Sequence, residues 1–202
     1  MKIDFDSLSR MECHDLLVGM IVPRPIAWVS TIGEDGTFNL APYSFFGAVS
    51  SKPPRLCVAI ERRRGDKKDT IRNIEYARDF VVNVSTEALA AQMNQSSADY
   101  PRAVSEFKET GLTPVASDKV RSPRIAESPI SMECKVVQLI EFGEGANSSS
   151  LVIGEVVRAH AEDALFKEGT FDSSRLRAIA RLSAELYCRT GDVFEMKRPR
   201  LP

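Results

Sequence analysis

Residues 24 to 60, RPIAWVSTIGEDGTFNLAPYSFFGAVSSKPPRLCVAI, restrict the fold more than any other stretch of the chain. Ile26 to Ile32 is rich in β-branched and aromatic residues, and Asp35-Gly36 follows as a tight-turn signal, so the pattern predicts a β-hairpin. The return arm, Thr37 to Leu40, ends at Ala41-Pro42, where proline offers no N–H and the ladder is expected to stop or bulge. From Pro42 to Ser51 the reading is an exposed, irregular segment with Ser44, Ser50 and Ser51 set among Tyr43, Phe45 and Phe46. Lys52-Pro53-Pro54 stiffens its exit, and Leu56 to Ile60 forms the next predicted strand.

Free backbone N–H groups, hydroxyls and flat rings in one segment suit a ligand that is flat and apolar at one end and polar or anionic at the other. Flavin mononucleotide (FMN) answers that description: its ring needs apolar faces and peptide groups along its edge, and its phosphate needs N–H donors, hydroxyls or a cation. The same residues also read as a plain hairpin followed by a serine-rich loop.

The rest of the chain narrows the setting. At 202 residues and 43% hydrophobic content it suits one domain that buries about 70% of its unfolded surface. A formal net charge of -1 gives no general attraction to nucleic acid or to an anionic membrane, and no DNA or RNA module is present. Apolar runs fall well short of the ~20 residues of a membrane span, and Met1 to Arg10 lacks a secretory signal, which makes the cytoplasm the expected location. Cys13, Cys57, Cys134 and Cys188 are far apart, without a CxxC pair, and are read as reduced and mostly buried rather than as a zinc or disulfide framework.

In chain order, Leu8 to Met20 has helical spacing with Ser9 as its cap and is expected to cover a barrel end. Cys13 and His14 within it point in different directions and lack a clear ligand partner, so no metal site is expected. Arg24, between two prolines, reads as a phosphate contact or a surface ion pair, and Trp28 as core or as a surface for the flavin ring. A polar, mostly basic loop, Glu61 to Lys68, precedes Asp69-Thr70, the expected cap of a helix from Ile71 to Arg78. A helix N-terminus beside lysines attracts anions, which makes Lys68 and Thr70 phosphate candidates with Lys67 behind them. Phe80 to Ser85 reads as a strand, Thr86 to Asn94 as a short threonine-capped helix, and about 95–129 as an irregular excursion. Ser131 to Phe142 and Leu151 to Ala161 read as two long strands joined by a flexible turn at Gly143 to Ser148. His160 reads as an exposed strand-end histidine, with a catalytic acid or base as the competing reading.

Several of these segments together resemble one family. PRPIAWVST, NLAPYSFF and the SSKPP exit stand in the order found in the flavin reductase-like family of FMN-binding split-barrel proteins. KKDTIRNI at 67 to 74, FVVNV at 80 to 84, ESPISMECKV at 127 to 136, LVIGEVV at 151 to 157 and IARLSAELYCRTGDVFEMKRP at the end extend the resemblance. The closing motif departs from the family in one place: Ser183 and Ala184 stand where two glycines are usual.

The resemblance implies a mainly β (α+β) chain, an antiparallel Greek-key split barrel with flanking helices, occupying residues 1–202 as a single domain. It implies FMN as cofactor and NADH or NADPH as hydride donor, with Trp28, Thr31, Asn39, Ala41, Pro42, Tyr43, Ser44, Phe45, Ser50, Ser51, Lys68 and Thr70 as cofactor-binding positions. Ser44 is expected near flavin N5, Thr31 and Asn39 at the ring edge or ribityl chain, and Ser50, Ser51, Lys68 and Thr70 at the phosphate. Arg181 or Tyr187 would approach the flavin from the closing motif. A homodimer and a separate electron acceptor such as a monooxygenase are further implications. An FMN-retaining electron carrier that does not use NAD(P)H, and a non-catalytic flavin-binding module, remain alternatives. Few protein acids or bases are required, because the cofactor carries the hydride chemistry. The sequence agrees: it lacks GxSxG and HExxH motifs and has two histidines.

Overall fold

The computed structural model describes residues 1–199, so the last three positions of the predicted 1–202 domain lie outside the described residues. The chain opens with a 3-10 turn and helix α1 (Arg10–Met20), followed by β1 (Arg24–Pro25), β2 (Ala27–Ile32), β3 (Phe38–Tyr43), β4 (Phe46–Ser51) and β5 (Pro54–Glu61). Helix α2 (Asp69–Ala77) leads into β6 (Asp79–Val84), and a 3-10 turn at Glu87–Leu89 runs into α3 (Ala90–Gln95). The next part holds α4 (Glu106–Thr110) and the two-residue strands β7 (Pro114–Val115) and β8 (Arg124–Ile125). Long strands β9 (Ile130–Phe142) and β10 (Ser149–Ala161) follow. The short hairpin β11 (Phe166–Lys167) and β12 (Thr170–Phe171), then β13 (Ile179–Arg181) and β14 (Tyr187–Arg189), complete the described elements.

Seven strands form one antiparallel sheet in the order β3-β2-β6-β9-β10-β5-β4. Its edge strands, β3 and β4, are joined by Ser44 and Phe45 alone, so the sheet curls until its edges meet at that link. The Ala59 N–H donates to the Phe45 carbonyl at 2.8 Å and fastens the seam. A smaller sheet, β1-β13-β14, stands beside it.

Alternation along β2 explains the two cores. Ala27 and Val29 face one way, with Val58, Phe80, Val82 and Val152. Trp28 faces the other, with Leu40, Met93, Phe107 and Ile125. Both faces of β2 and β6 are therefore covered, which is why they read as near-continuous apolar runs. At Gly154 a Cβ would lie 2.6 Å from Phe80 Cζ, so a glycine is needed where that ring crosses β10.

Four sequence expectations are corrected here. The β2–β3 ladder runs through Pro42, which pairs with Trp28. β3 is an edge strand, and its outer side needs no N–H partner. Phe46 to Ser51 is a strand paired with β5, interrupted by a register shift between Ala48 and Ser50, which leaves Ser44 and Phe45 as the link outside the strands. The cap of α2 is Lys68, with no side-chain cap bond, and Asp69 and Thr70 lie in the first turn. Thr86 likewise makes no side-chain cap bond.

Residues 95–129 are also more ordered than the sequence suggested, because Phe107, Leu112 and Ile125 enter the second core. Asn83 ties this part to the sheet: its Oδ1 accepts from Ile125 N at 3.0 Å and Ser131 Oγ at 2.8 Å, and its Nδ2 donates to the Trp28 carbonyl and Ser30 Oγ, both at 3.0 Å. The α1 helix begins as expected, with Ser9 and Glu12 forming a reciprocal capping box. Of its residues only Val18 is buried, and Met11 is 74% exposed. Cys134 is the one buried cysteine, the other three being half-buried, because only Cys134 faces the barrel core.

Candidate functional site

The seam that closes the barrel also opens a groove along β3. A cavity of about 400 Å³ is lined by α1, the β3–β4 link and the β13–β14 corner, with Arg24, Pro42, Tyr43, Ser44, Phe45, Lys68, Arg181 and Tyr187 on its walls. That volume is within the range of small-molecule and cofactor sites. A smaller cavity of about 140 Å³ adjoins it over the start of α2, lined by Asn39, Ala41, Thr70 and Glu106. Pro42, Tyr43 and Lys68 line both.

Packing fixes the middle of the groove. Tyr43 is buried on β3, and its hydroxyl lies 2.8 Å from Thr70 Oγ1, which also accepts from Asn39 Nδ2 at 3.0 Å. Burial pushes the Tyr43 hydroxyl well above its ordinary pKa, so it remains a neutral phenol. Lys68 Nζ sits 5.3 Å from the Tyr43 ring centroid. Burial, aided by the charge of Arg63, lowers its ammonium pKa, and no carboxylate lies within 4.0 Å of it among the described residues. In the first turn of α2 the Ile71 N–H turns back to the Lys68 carbonyl at 3.0 Å, while the N–H groups of Asp69 and Thr70, both on the wall of the smaller cavity, have no partner among the described residues.

Glu106 brings a buried carboxyl to the smaller cavity. Its Oε2 accepts from Leu40 N at 2.8 Å, and burial raises its carboxyl pKa.

Arg24 is 5% exposed, which replaces the surface ion pair expected from the sequence with a buried guanidinium. It donates to the carbonyls of Val18, Ile21 (2.8 Å) and Leu182 (2.7 Å), and through Nε to Ser44 Oγ at 3.3 Å. With most of its donors in use, it pins the end of α1, the β3–β4 link and the β13 exit around the groove.

The structure thus brings together Asn39, Ala41, Pro42, Tyr43, Ser44, Phe45, Lys68 and Thr70 from the expected cofactor-binding set. Trp28 and Thr31 are placed elsewhere, each fully buried: Trp28 Nε1 donates to Ser96 Oγ at 2.9 Å, and Thr31 Oγ1 accepts from Asn73 at 3.1 Å. Ser50 and Ser51 stand exposed on β4 outside both cavities, with Ser50 Oγ donating to the Pro53 carbonyl at 2.6 Å. Lys67 pairs with Glu75 instead of facing the groove.

His160 is corrected from an exposed histidine to a half-buried one paired with a buried carboxylate. Its Nε2 lies 2.6 Å from Oε1 of the fully buried Glu133, which also accepts from the N–H groups of Asp118 (2.9 Å) and Lys119 (2.6 Å). Burial alone would raise the Glu133 carboxyl, but these bonds outweigh it and hold the pKa below its ordinary value. Asp118, Glu133 and His160 bring ligand-type atoms within 4.8 Å of one another. With three hydrogen bonds already on Glu133, they form a latch joining the 95–129 region to β9 and β10.

A family model described as flavin reductase like domain matches residues 18–180, the stretch that carries the barrel and the β3 side of the groove, while Arg181 and Tyr187 lie just beyond it. The chain belongs to the flavin reductase-like family. An uncharacterised protein of Halalkalibacterium halodurans is 39% identical over 100% of this chain and 98% of its own. Nitrilotriacetate monooxygenase component B from Bacillus cereus has a TM-score of 0.93 and 35% identity, covering 97% of this chain and 98% of that one. The 2-nitrobenzoate 2-nitroreductase NbaA of Pseudomonas fluorescens has a TM-score of 0.89 and 31% identity, over 98% and 96%. The fold is the split barrel of flavin reductase-like proteins, in a family of flavin-binding oxidoreductases.

The groove of this family member fits a flavin on its own features: cations without acidic partners, unpaired helix N–H groups and the rings of Tyr43 and Phe45. Sequence reasoning missed Glu106 and the structural use of Arg24. No local signal marks either one, because Glu106 reaches β3 from 66 positions away and the Arg24 acceptors come from separate elements.

Proposed function

We propose that the chain is an NAD(P)H-dependent FMN reductase that passes electrons to a separate acceptor. The observation that carries this reading is the groove along β3, where Lys68 and the first turn of α2 offer positive charge and N–H donors beside the apolar ring surfaces of Tyr43 and Phe45. Lys68 and the α2 N–H groups hold the phosphate, while Ala41 to Phe45 border the ring. When bound, the flavin accepts hydride and supplies the redox chemistry. The protein's part is to bind, orient and exclude water. The backbone N–H groups of Ser44 and Phe45, which lie in the link between β3 and β4, stabilise negative charge at the polar edge of the ring, and Tyr43, held neutral, keeps Thr70 in place.

Two further parts of the reading concern assembly and acceptor. Exposed Met11, Leu17, Met20, Ile21 and Val22 lie along and just after α1, the helix that walls the groove, and a second copy covers them in a homodimer. A monomer mass by light scattering at micromolar concentration contradicts that part. The similarity to a monooxygenase component and a nitroreductase supports a monooxygenase partner or a reducible organic compound as acceptor. Use of NAD(P)H fits a cytoplasmic protein. No described helix is long and apolar enough to cross a membrane.

The test is an absorbance spectrum of FMN-loaded protein with NADH and then NADPH added without oxygen. Bleaching of the flavin bands is the expected result and identifies the donor. Bands that persist with both donors contradict the reductase and favour an FMN-holding electron carrier.

A further inference from the structure

The pairing of β1 with β13 sets Arg24 directly opposite Arg181. Like charges facing each other across an antiparallel pair repel, and such pairs are ordinarily offset by an acid nearby. Here none is close. Among the described residues neither guanidinium has a carboxylate within 4.0 Å, whereas Arg62, Arg63, Arg158 and Arg177 all do. Asp15 stands on the same cavity wall but beyond that distance.

The two arginines differ in what they have left to offer. Arg24 is held by the carbonyls of Val18, Ile21 and Leu182 and by Ser44 Oγ, so it acts mainly as a fixed charge. Arg181 stacks over the Tyr187 ring, with its guanidinium carbon 4.5 Å from the centroid, and donates to the Tyr187 hydroxyl and the Ala184 carbonyl. Its Nε and remaining N–H groups are without partners among the described residues. Ser44 Oγ accepts from Arg24, so its own hydroxyl hydrogen is free to donate into the cavity. Both arginines line the larger cavity and not the smaller one over α2.

We infer that Arg24, Arg181 and Ser44 form a second anion site at the far end of the groove from α2, which seats the anionic group of the compound that exchanges electrons there. The group is a carboxylate of a small organic substrate or a phosphate of a nucleotide donor. A planar guanidinium with free fork hydrogens grips either in two-point fashion, and the neighbouring arginine adds charge that has no carboxylate within 4.0 Å among the described residues. The inference rests on the proposed FMN groove for the identity of the exchange, and not for the existence of the anion site.

The test is calorimetric titration of the native chain, with and without FMN, by benzoate, by inorganic pyrophosphate and by neutral benzamide at constant ionic strength. Arg181→Gln and Arg181→Lys follow, after a thermal melt confirms their folding. Binding of benzoate or pyrophosphate, but not benzamide, is expected, weakened roughly ten- to a hundredfold in Arg181→Gln and partly restored in Arg181→Lys. The ratio of FMN to riboflavin affinity stays as in the native chain. Benzoate binding identifies a carboxylate ligand and pyrophosphate binding a nucleotide. If Arg181→Gln does not fold, Arg181→Lys carries the test, because loss of the fork still weakens a two-point anion. Absence of binding by both anions overturns the inference, and so does a loss of FMN affinity without loss of riboflavin affinity, which would assign the pair to the flavin phosphate. If the native chain binds these anions but not FMN, the cofactor reading falls and the anion site stands.

Discussion

Two polar regions of this barrel handle charge in opposite ways. Around Glu133, one fully buried carboxylate receives two backbone N–H groups and a histidine, drawn from the 95–129 region and from β10. Around the groove, Arg24, Lys68 and Arg181 have no carboxylate within 4.0 Å among the described residues. A buried ion that is fully partnered holds elements together, and one left without an opposite charge weakens the fold unless a ligand completes it. The first region is built for stability and the second for occupancy.

The largest expected effect breaks the first region. Glu133→Ala strands His160 and the Asp118 and Lys119 N–H groups, and is expected to lower unfolding free energy in urea by about 3–5 kcal/mol. A loss below ~1 kcal/mol would show that the latch is not structural. The same carboxylate gives a pH signature. Its folded pKa is held below the unfolded value of about 4.3, so its contribution is complete at neutral pH and is lost as pH falls through the lower, folded value.

Lys68→Ala is the contrasting case. Burial already works against this ammonium, so the native fold should be as stable or slightly more so in a thermal melt, while FMN binds roughly ten- to a hundredfold more weakly. A large drop in stability with unchanged FMN affinity would put Lys68 in the same class as Glu133.

How legible these regions were depends on the reach of their contacts. The hairpin, the long strands and the Ser9 cap of α1 rest on local patterns, and each appears near its expected place. Tyr43, Ser44, Lys68 and Thr70 were legible as a group because turn chemistry and the family motifs mark them together. Pairing through Pro42 was not, since an edge position is a property of the whole sheet. The core position of Trp28 was one of its two sequence readings, but the burial of Thr31 away from the groove was not legible, since it follows from α2 covering that face of β2. The Arg24–Arg181 pair and the His160–Glu133 pair exist only once distant strands are in register.

Smaller effects sharpen the comparison at its boundary. Thr70→Val removes the hydroxyl shared by Tyr43 and Asn39, and should cost about 1 kcal/mol in urea unfolding. No loss would mean that this network does not support the groove. Glu106→Gln keeps an acceptor for Leu40 N–H and removes a buried charge. Because the folded pKa of Glu106 is raised, native stability should fall as pH rises from the ordinary carboxyl value through the folded one. The glutamine variant should lose that slope, with a change at pH 7 of less than ~1 kcal/mol. An unchanged slope would show that Glu106 titrates normally.

The most direct test of the charge-deficient groove is parallel titration of the native chain with FMN and with riboflavin, followed by flavin absorbance in a dialysis cell. One FMN per chain, bound about tenfold or more tighter than riboflavin, is the expected result. Equal affinities would show that the groove does not read the phosphate, and no binding of either would contradict the flavin site itself.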